Sequence, residues 1–159
     1  KIHREAGRWA HFIRSAPESL WSKQDYVVIW FDDVVLSKGA DLRRMIGVMD
    51  CNHLAVLSPS YAQAEVSAKG RRWPLMYQDI PLPMAEQREQ PNRGRVGRHV
   101  SFVEWQFTMM LPASFACLRN LMDPKDVNGW GVDILFPFVC QGHCMGILDE
   151  MTITDTGGA

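Results

Sequence analysis

An apolar run, Tyr26-Val-Val-Ile-Trp-Phe31, ends on two adjacent acids, Asp32 and Asp33. Adjacent carboxylates repel, and desolvating either is costly. A bound cation or a site open to solvent offsets that cost. Mn²⁺ and Mg²⁺ take oxygen ligands and keep positions free for substrate phosphates, so the pair suits a metal–diphosphate. Asp155, after a strand near the end of the sequence, is a further candidate metal ligand. The turn Asn128-Gly-Trp-Gly-Val-Asp133 carries a second set. Gly129 and Gly131 let the backbone approach a ligand closely, and Trp130 offers a ring face to a sugar. Asp133 opens a helix, where it stays ionised and can take a proton from an attacking hydroxyl. Glu104 is expected to point from a strand toward the same site. Each residue also has a plainer role. Asp32 and Asp33 can cap a loop, Asp133 can complement a helix dipole, Trp130 can pack in the core, and Asp155 can be solvated.

The elements that must position these groups follow from periodicity. The run before Asp32 reads as a strand buried on both faces. Residues 4–14 form an amphipathic helix with Trp9, Phe12 and Ile13 on one face, and a break follows at 15–18 around Pro17. Leu42, Met45, Ile46 and Met49 recur at helical spacing, Asn52 stops that helix, and Leu54 to Leu57 is a second buried strand. Strand, helix and strand imply parallel pairing. Residues 59–98 hold five prolines and several glycines and read as one long irregular loop. Its basic stretch, Arg93-Gly-Arg-Val-Gly-Arg98, lacks the spacing of a phosphate-binding loop. Val100 to Phe107 alternates as a strand, with Glu104 opposite Val103 and Trp105. Pro112 to Met122 and Ile134 to Val139 read as helices, and Met145 to Leu148 and Met151 to Thr154 as short strands.

With 159 residues, 47% of them hydrophobic, the chain can bury one core, so residues 1–159 are expected to form a single domain. A net charge of −1 offers no broad attraction to nucleic acid or to an anionic membrane. No apolar run reaches the ~18 residues of a membrane span. The sequence starts inside a helical pattern, which suggests a processed or partial chain. The spacing of Cys51, Cys117, Cys140 and Cys144 fits no zinc pattern. Disulfides are allowed, but the sequence does not pair them.

Asp25-Tyr-Val-Val-Ile-Trp-Phe-Asp-Asp-Val34, Arg72-Trp-Pro74, Phe102-Val-Glu-Trp105, Asn128-Gly-Trp-Gly-Val-Asp133 and Gly146 to Thr156 occur in that order. Together they resemble the blocks of a poorly characterised plant and bacterial family of GT-A-type nucleotide-sugar glycosyltransferases. The resemblance implies an α/β, GT-A-like domain with a mainly parallel sheet flanked by helices, lacking the N-terminal nucleotide-binding segment. It also implies a nucleotide diphosphate sugar as donor, a hydroxyl acceptor (a glycan or a small molecule), and Mn²⁺ or Mg²⁺. Asp33, with Asp32 and Asp155, would hold the metal and Asp133 would be the base. Trp130, Gly129, Gly131 and Glu104 would bind substrate. The chain departs from the family pattern at Phe31, where a further acid is usual, and at Asp155, where a late histidine is usual. A non-catalytic carbohydrate-binding or scaffold domain, and a metal-dependent phosphoester hydrolase, are the alternatives. A glycosidase using Asp133 and Glu104 is a more distant one.

Overall fold

The computed structural model describes residues 8–61, 95–123, 125, 129 and 131–156, with Asp155 by its backbone alone. Helix α1 (Trp9–Ser15) buries Ala10 and Ile13, and a single turn, α2 (Glu18–Trp21), follows Pro17. The branched and aromatic residues after Tyr26 form β1 (Val27–Trp30), since such side chains suit a pleated backbone. A three-residue turn leads to β2 (Val34–Leu36). In α3 (Leu42–Asn52), Met45, Val48 and Met49 form the buried stripe. Asp41 caps its start by accepting the Arg43 N–H (2.9 Å), and His53 ends it in the left-handed region. Then come β3 (Val56–Tyr61), β4 (Gly97–Val100), β5 (Phe107–Met110), α4 (Pro112–Leu121), α5 (Val132–Val139) and β6 (Met145–Asp155).

The sheet is small and mixed, not the mainly parallel GT-A-like sheet flanked by helices. Its order is β1-β5-β3-β6-β2, with β4 also on β6. Among the described residues, only β3 and β6 pair in parallel; the other four pairings are antiparallel. The expected strand–helix–strand unit exists as β1, α3 and β3, but β5 lies between the two strands. Apolar periodicity reports burial. It does not report which distant strand supplies the hydrogen bonds, so it cannot separate parallel from antiparallel neighbours.

The sheet is also strongly curled. β1 and β2 stand at opposite ends of the order, which in a flat sheet would separate them by about 19 Å. The link from Trp30 to Val34 spans at most about 14 Å. The Trp30 indole N–H donates to the Val34 carbonyl at 2.9 Å. The ends must therefore approach, bending the sheet toward a nearly closed barrel. This overturns the reading of β1 as buried on both faces. Ile29 is buried, whereas Val28 is exposed and Trp30 is 55% exposed.

Two other expected strands change. Val100 to Phe107 is not one strand: β4 ends at Val100, residues 101–106 are irregular, and β5 starts at Phe107. Phe102 and Val103 are both buried, which a strand with one covered face would not allow. Conversely, the two short strands at the end are one strand, β6. One of its edges pairs β4 over Met145–Leu148 and then β2 over Ile153–Asp155. Its other edge pairs β3, with a register shift after Pro59, which has no N–H to donate. Neighbouring residues of the central strands face opposite cores. Val56, Met110 and Ile147 meet α1, α4 and α5; Leu57, Met109 and Leu148 meet α3.

Candidate functional site at one end of the sheet

β1, β3 and β6 run in the same sense, because β5 is antiparallel to both β1 and β3. Their C-terminal ends and the segment before β5 therefore meet at one end of the sheet. Phe31 N–H donates to the Gln106 carbonyl (2.9 Å). The Tyr61 hydroxyl, at the end of β3, donates to the Glu104 carboxylate. Val34 pairs with Asp155, and both the N–H (2.8 Å) and hydroxyl (2.9 Å) of Thr156 donate to the Asp33 carbonyl. Asp33 and the Asp155 backbone are thus neighbours across the β2–β6 ladder. Asp33 is half-buried and Asp32 exposed.

Glu104 reaches this end from an irregular loop, not from a strand as expected. The loop is pinned by Thr108, whose hydroxyl donates to the Glu104 carbonyl (2.9 Å), and by Ser58, whose hydroxyl donates to the Phe107 carbonyl (2.7 Å). Neither Tyr61 nor Thr156 was singled out by sequence. Tyr61 closes β3 after Ser58-Pro59-Ser60 and carries no motif; the β3–β5 pairing brings it to Glu104.

The glycine turn joins this end through aromatic contacts. Gly129, at φ +60°, lies so close to the Trp9 indole that a Cβ would sit 2.4 Å from it. The Trp9 ring packs on Phe31, with centroids 5.6 Å apart, and Phe31 directly precedes Asp32. Phe31 also packs against both halves of the core. An aromatic wedge therefore occupies the position where a further acid was expected. Trp130 lies outside the described residues. Gly131, at φ +80°, caps α5.

Asp133 is in the first turn of α5, and its carboxylate accepts the Ile134 N–H at 3.0 Å. Burial raises its pKa above the ordinary carboxylate range, and the backbone N–H bonds only partly oppose this. A desolvated carboxyl with a raised pKa is a stronger base than a solvated one. One turn further on, Phe136 packs edge-to-face on Trp105 (4.9 Å), next to Glu104. Asp133 is thereby tied to the same loop through Phe136 and Trp105.

Among the described residues, no group of three or more His, Cys, Asp or Glu side chains is arranged to hold a metal. Asp32, exposed, and Asp33, half-buried, stand side by side at the strand end, and carboxylates are a ligand type that Mg²⁺ takes together with substrate phosphates. The two acids do not form an all-protein cage. A separate cleft of about 300 Å³ lies at the other end of β1 and β3, lined by Tyr26, Met49, Asp50, His53, Leu54 and Leu111. It contains none of the expected site residues.

No protein-family model matches the chain, and no curated protein matches its sequence. Among the described residues, no helix is long and apolar enough to cross a membrane.

Proposed function

We propose that the acidic end of the sheet transfers a sugar from a nucleotide diphosphate sugar to a hydroxyl acceptor, with Mn²⁺ or Mg²⁺ bound. The observation that carries this reading is the β2–β6 pairing, which sets Asp33 beside Asp155 and Thr156. Asp33, with Asp32 and Asp155, would hold the cation, which when bound offsets charge on the departing diphosphate. Asp133 takes the proton of the acceptor hydroxyl. Glu104, held by Tyr61, accepts hydrogen bonds from sugar or acceptor hydroxyls, and Trp130, with the flanking Gly129 and Gly131, receives the sugar ring.

Calorimetry with Mn²⁺ and a panel of nucleotide sugars tests the donor site, and product analysis with and without acceptor tests the reaction. Transfer that requires acceptor supports the reading. Sugar released equally well without acceptor would make the protein a hydrolase. A second reading, a non-catalytic carbohydrate-binding domain, is favoured by Phe31, which packs on Trp9 in place of an acid. Sugar binding that ignores metal and yields no product would select it.

A further inference from the structure

α5 is weakly anchored. Ile134, Leu135, Phe138 and Val139 are all exposed, and only Val132 and Phe136 of the helix are buried. Pro137 removes one backbone donor from its interior. Eight residues are too few to hold a helix without tertiary contacts. Two attachments stand out. Phe136 packs on Trp105, and a disulfide joins Cys117, in the middle of α4, to Cys140, the residue after α5. The strands β1 to β5 all precede Cys117, and β6 follows Cys140. Opening the bridge therefore breaks no strand pairing. On α4 itself, Phe115 and Leu118 are buried, and Phe115 packs on Trp21 with ring centroids 5.3 Å apart.

We propose that the Cys117–Cys140 disulfide is a redox latch on α5: reduction by a dithiol frees this helix, and Asp133 with it, while the sheet stays folded. The consequence for activity rests on the proposed role of Asp133; the release of the helix does not. Cys117 is half-buried and Cys140 buried, so a thiolate of the reductant attacks the Cys117 sulfur. The S–S bond breaks, and Cys140 leaves as a thiolate that takes up a proton. The second thiol of the reductant then attacks the mixed disulfide and releases Cys117. Two electrons and two protons pass from the dithiol, which ends as its own disulfide.

The test uses the full chain with Cys51→Ser and Cys144→Ser, which removes the two exposed free thiols. Hydrogen exchange is followed by mass spectrometry before and after dithiothreitol, and again after reoxidation. The latch requires α5 amides to exchange about a hundredfold faster when reduced, with β3 and β6 amides unchanged and full recovery on reoxidation. Unchanged α5 protection would overturn it, as would an equal loss across the sheet, which marks a general staple. Cys117→Ser/Cys140→Ser should copy the reduced pattern; if that variant does not fold, the reversible reduction still decides. Sugar transfer to acceptor should be lost on reduction and restored on oxidation. If α5 opens but no transfer occurs in either state, the latch stands and the transfer reading falls.

Discussion

Replacing Gly129 with alanine tests the contact that ties the glycine turn to the acidic strand end. The new Cβ would lie 2.4 Å from one carbon of the Trp9 ring and 2.9 Å from two others. The backbone there has φ +60°, a conformation that costs an L-residue roughly 1–2 kcal/mol. Forcing a methyl group into packed surroundings adds roughly 1–3 kcal/mol. Gly131 is an internal control. Its φ is +80° but nothing lies within 4 Å of a Cβ, so Gly131→Ala should cost only the backbone part, about 1–2 kcal/mol. Urea unfolding should therefore show Gly129→Ala as the worse variant by about 1–3 kcal/mol. In a Trp9→Ala background the clash is gone, and the two glycine variants should become equal. Equal effects in both backgrounds would refute the Trp9–Gly129 contact. So would a difference that survives the loss of Trp9.

Asp133→Asn should lower transfer by roughly 10²- to 10⁴-fold, the usual worth of a general base, measured as product per enzyme at saturating donor. Burial raises the Asp133 pKa, so the folded chain binds more protons than the unfolded one from about pH 4 up to the raised value. Stability falls as pH rises through that window and stays lowered above it; Asp133→Asn should therefore be more stable than the parent at pH 7 but not at pH 3 in urea melts. The Tyr26 hydroxyl donates to Asp50, and that bond, with burial and the charges of Asp50 and Asp25, pushes its pKa up to about 12. The resulting stability is present below about pH 10 and is lost toward pH 12; Tyr26→Phe should remove it, so the two proteins should converge in stability above that range. Arg98 and Asp149 form an ion pair with side chains only 14% and 7% exposed. Asp149→Asn should cost about 1.5–3 kcal/mol in thermal melts, by taking a charge-assisted hydrogen bond from this largely covered guanidinium.

Much of the local structure was legible from the sequence. Leu42, Met45, Ile46 and Met49, read at helical spacing with Asn52 as the stop, lie in α3, although the buried stripe is Met45, Val48 and Met49 and Leu42 is exposed; Pro112 opens α4 as expected. Patterns at i, i+3 and i+4 are local, and so are caps, so neither depends on distant partners. Asp32 and Asp33 stood out as candidates, because two adjacent carboxylates after an apolar run call for compensation. The alternation around Glu104 misled: it suggested a strand, but Phe102 and Val103 are both buried in an irregular loop. Trp130 and residues 62–94 of the expected 59–98 loop, including the start of the basic stretch Arg93–Arg98, lie outside the described residues; the ends of that expected loop are strands, 59–61 in β3 and 97–98 in β4.

By itself, the sequence determined which segments are apolar and extended, which form helices, and which side chains could hold a cation or move a proton. Those properties belong to each residue and its near neighbours. Tertiary structure alone decided that β5 inserts between β1 and β3, making the sheet mixed. It decided that the short turn at Asp32–Asp33 curls the sheet, that Tyr61 meets Glu104, and that Cys117 pairs with Cys140. These are contacts between residues far apart in the chain. They depend on which strand edges and which thiols the folded backbone brings together, and no local pattern carries that information.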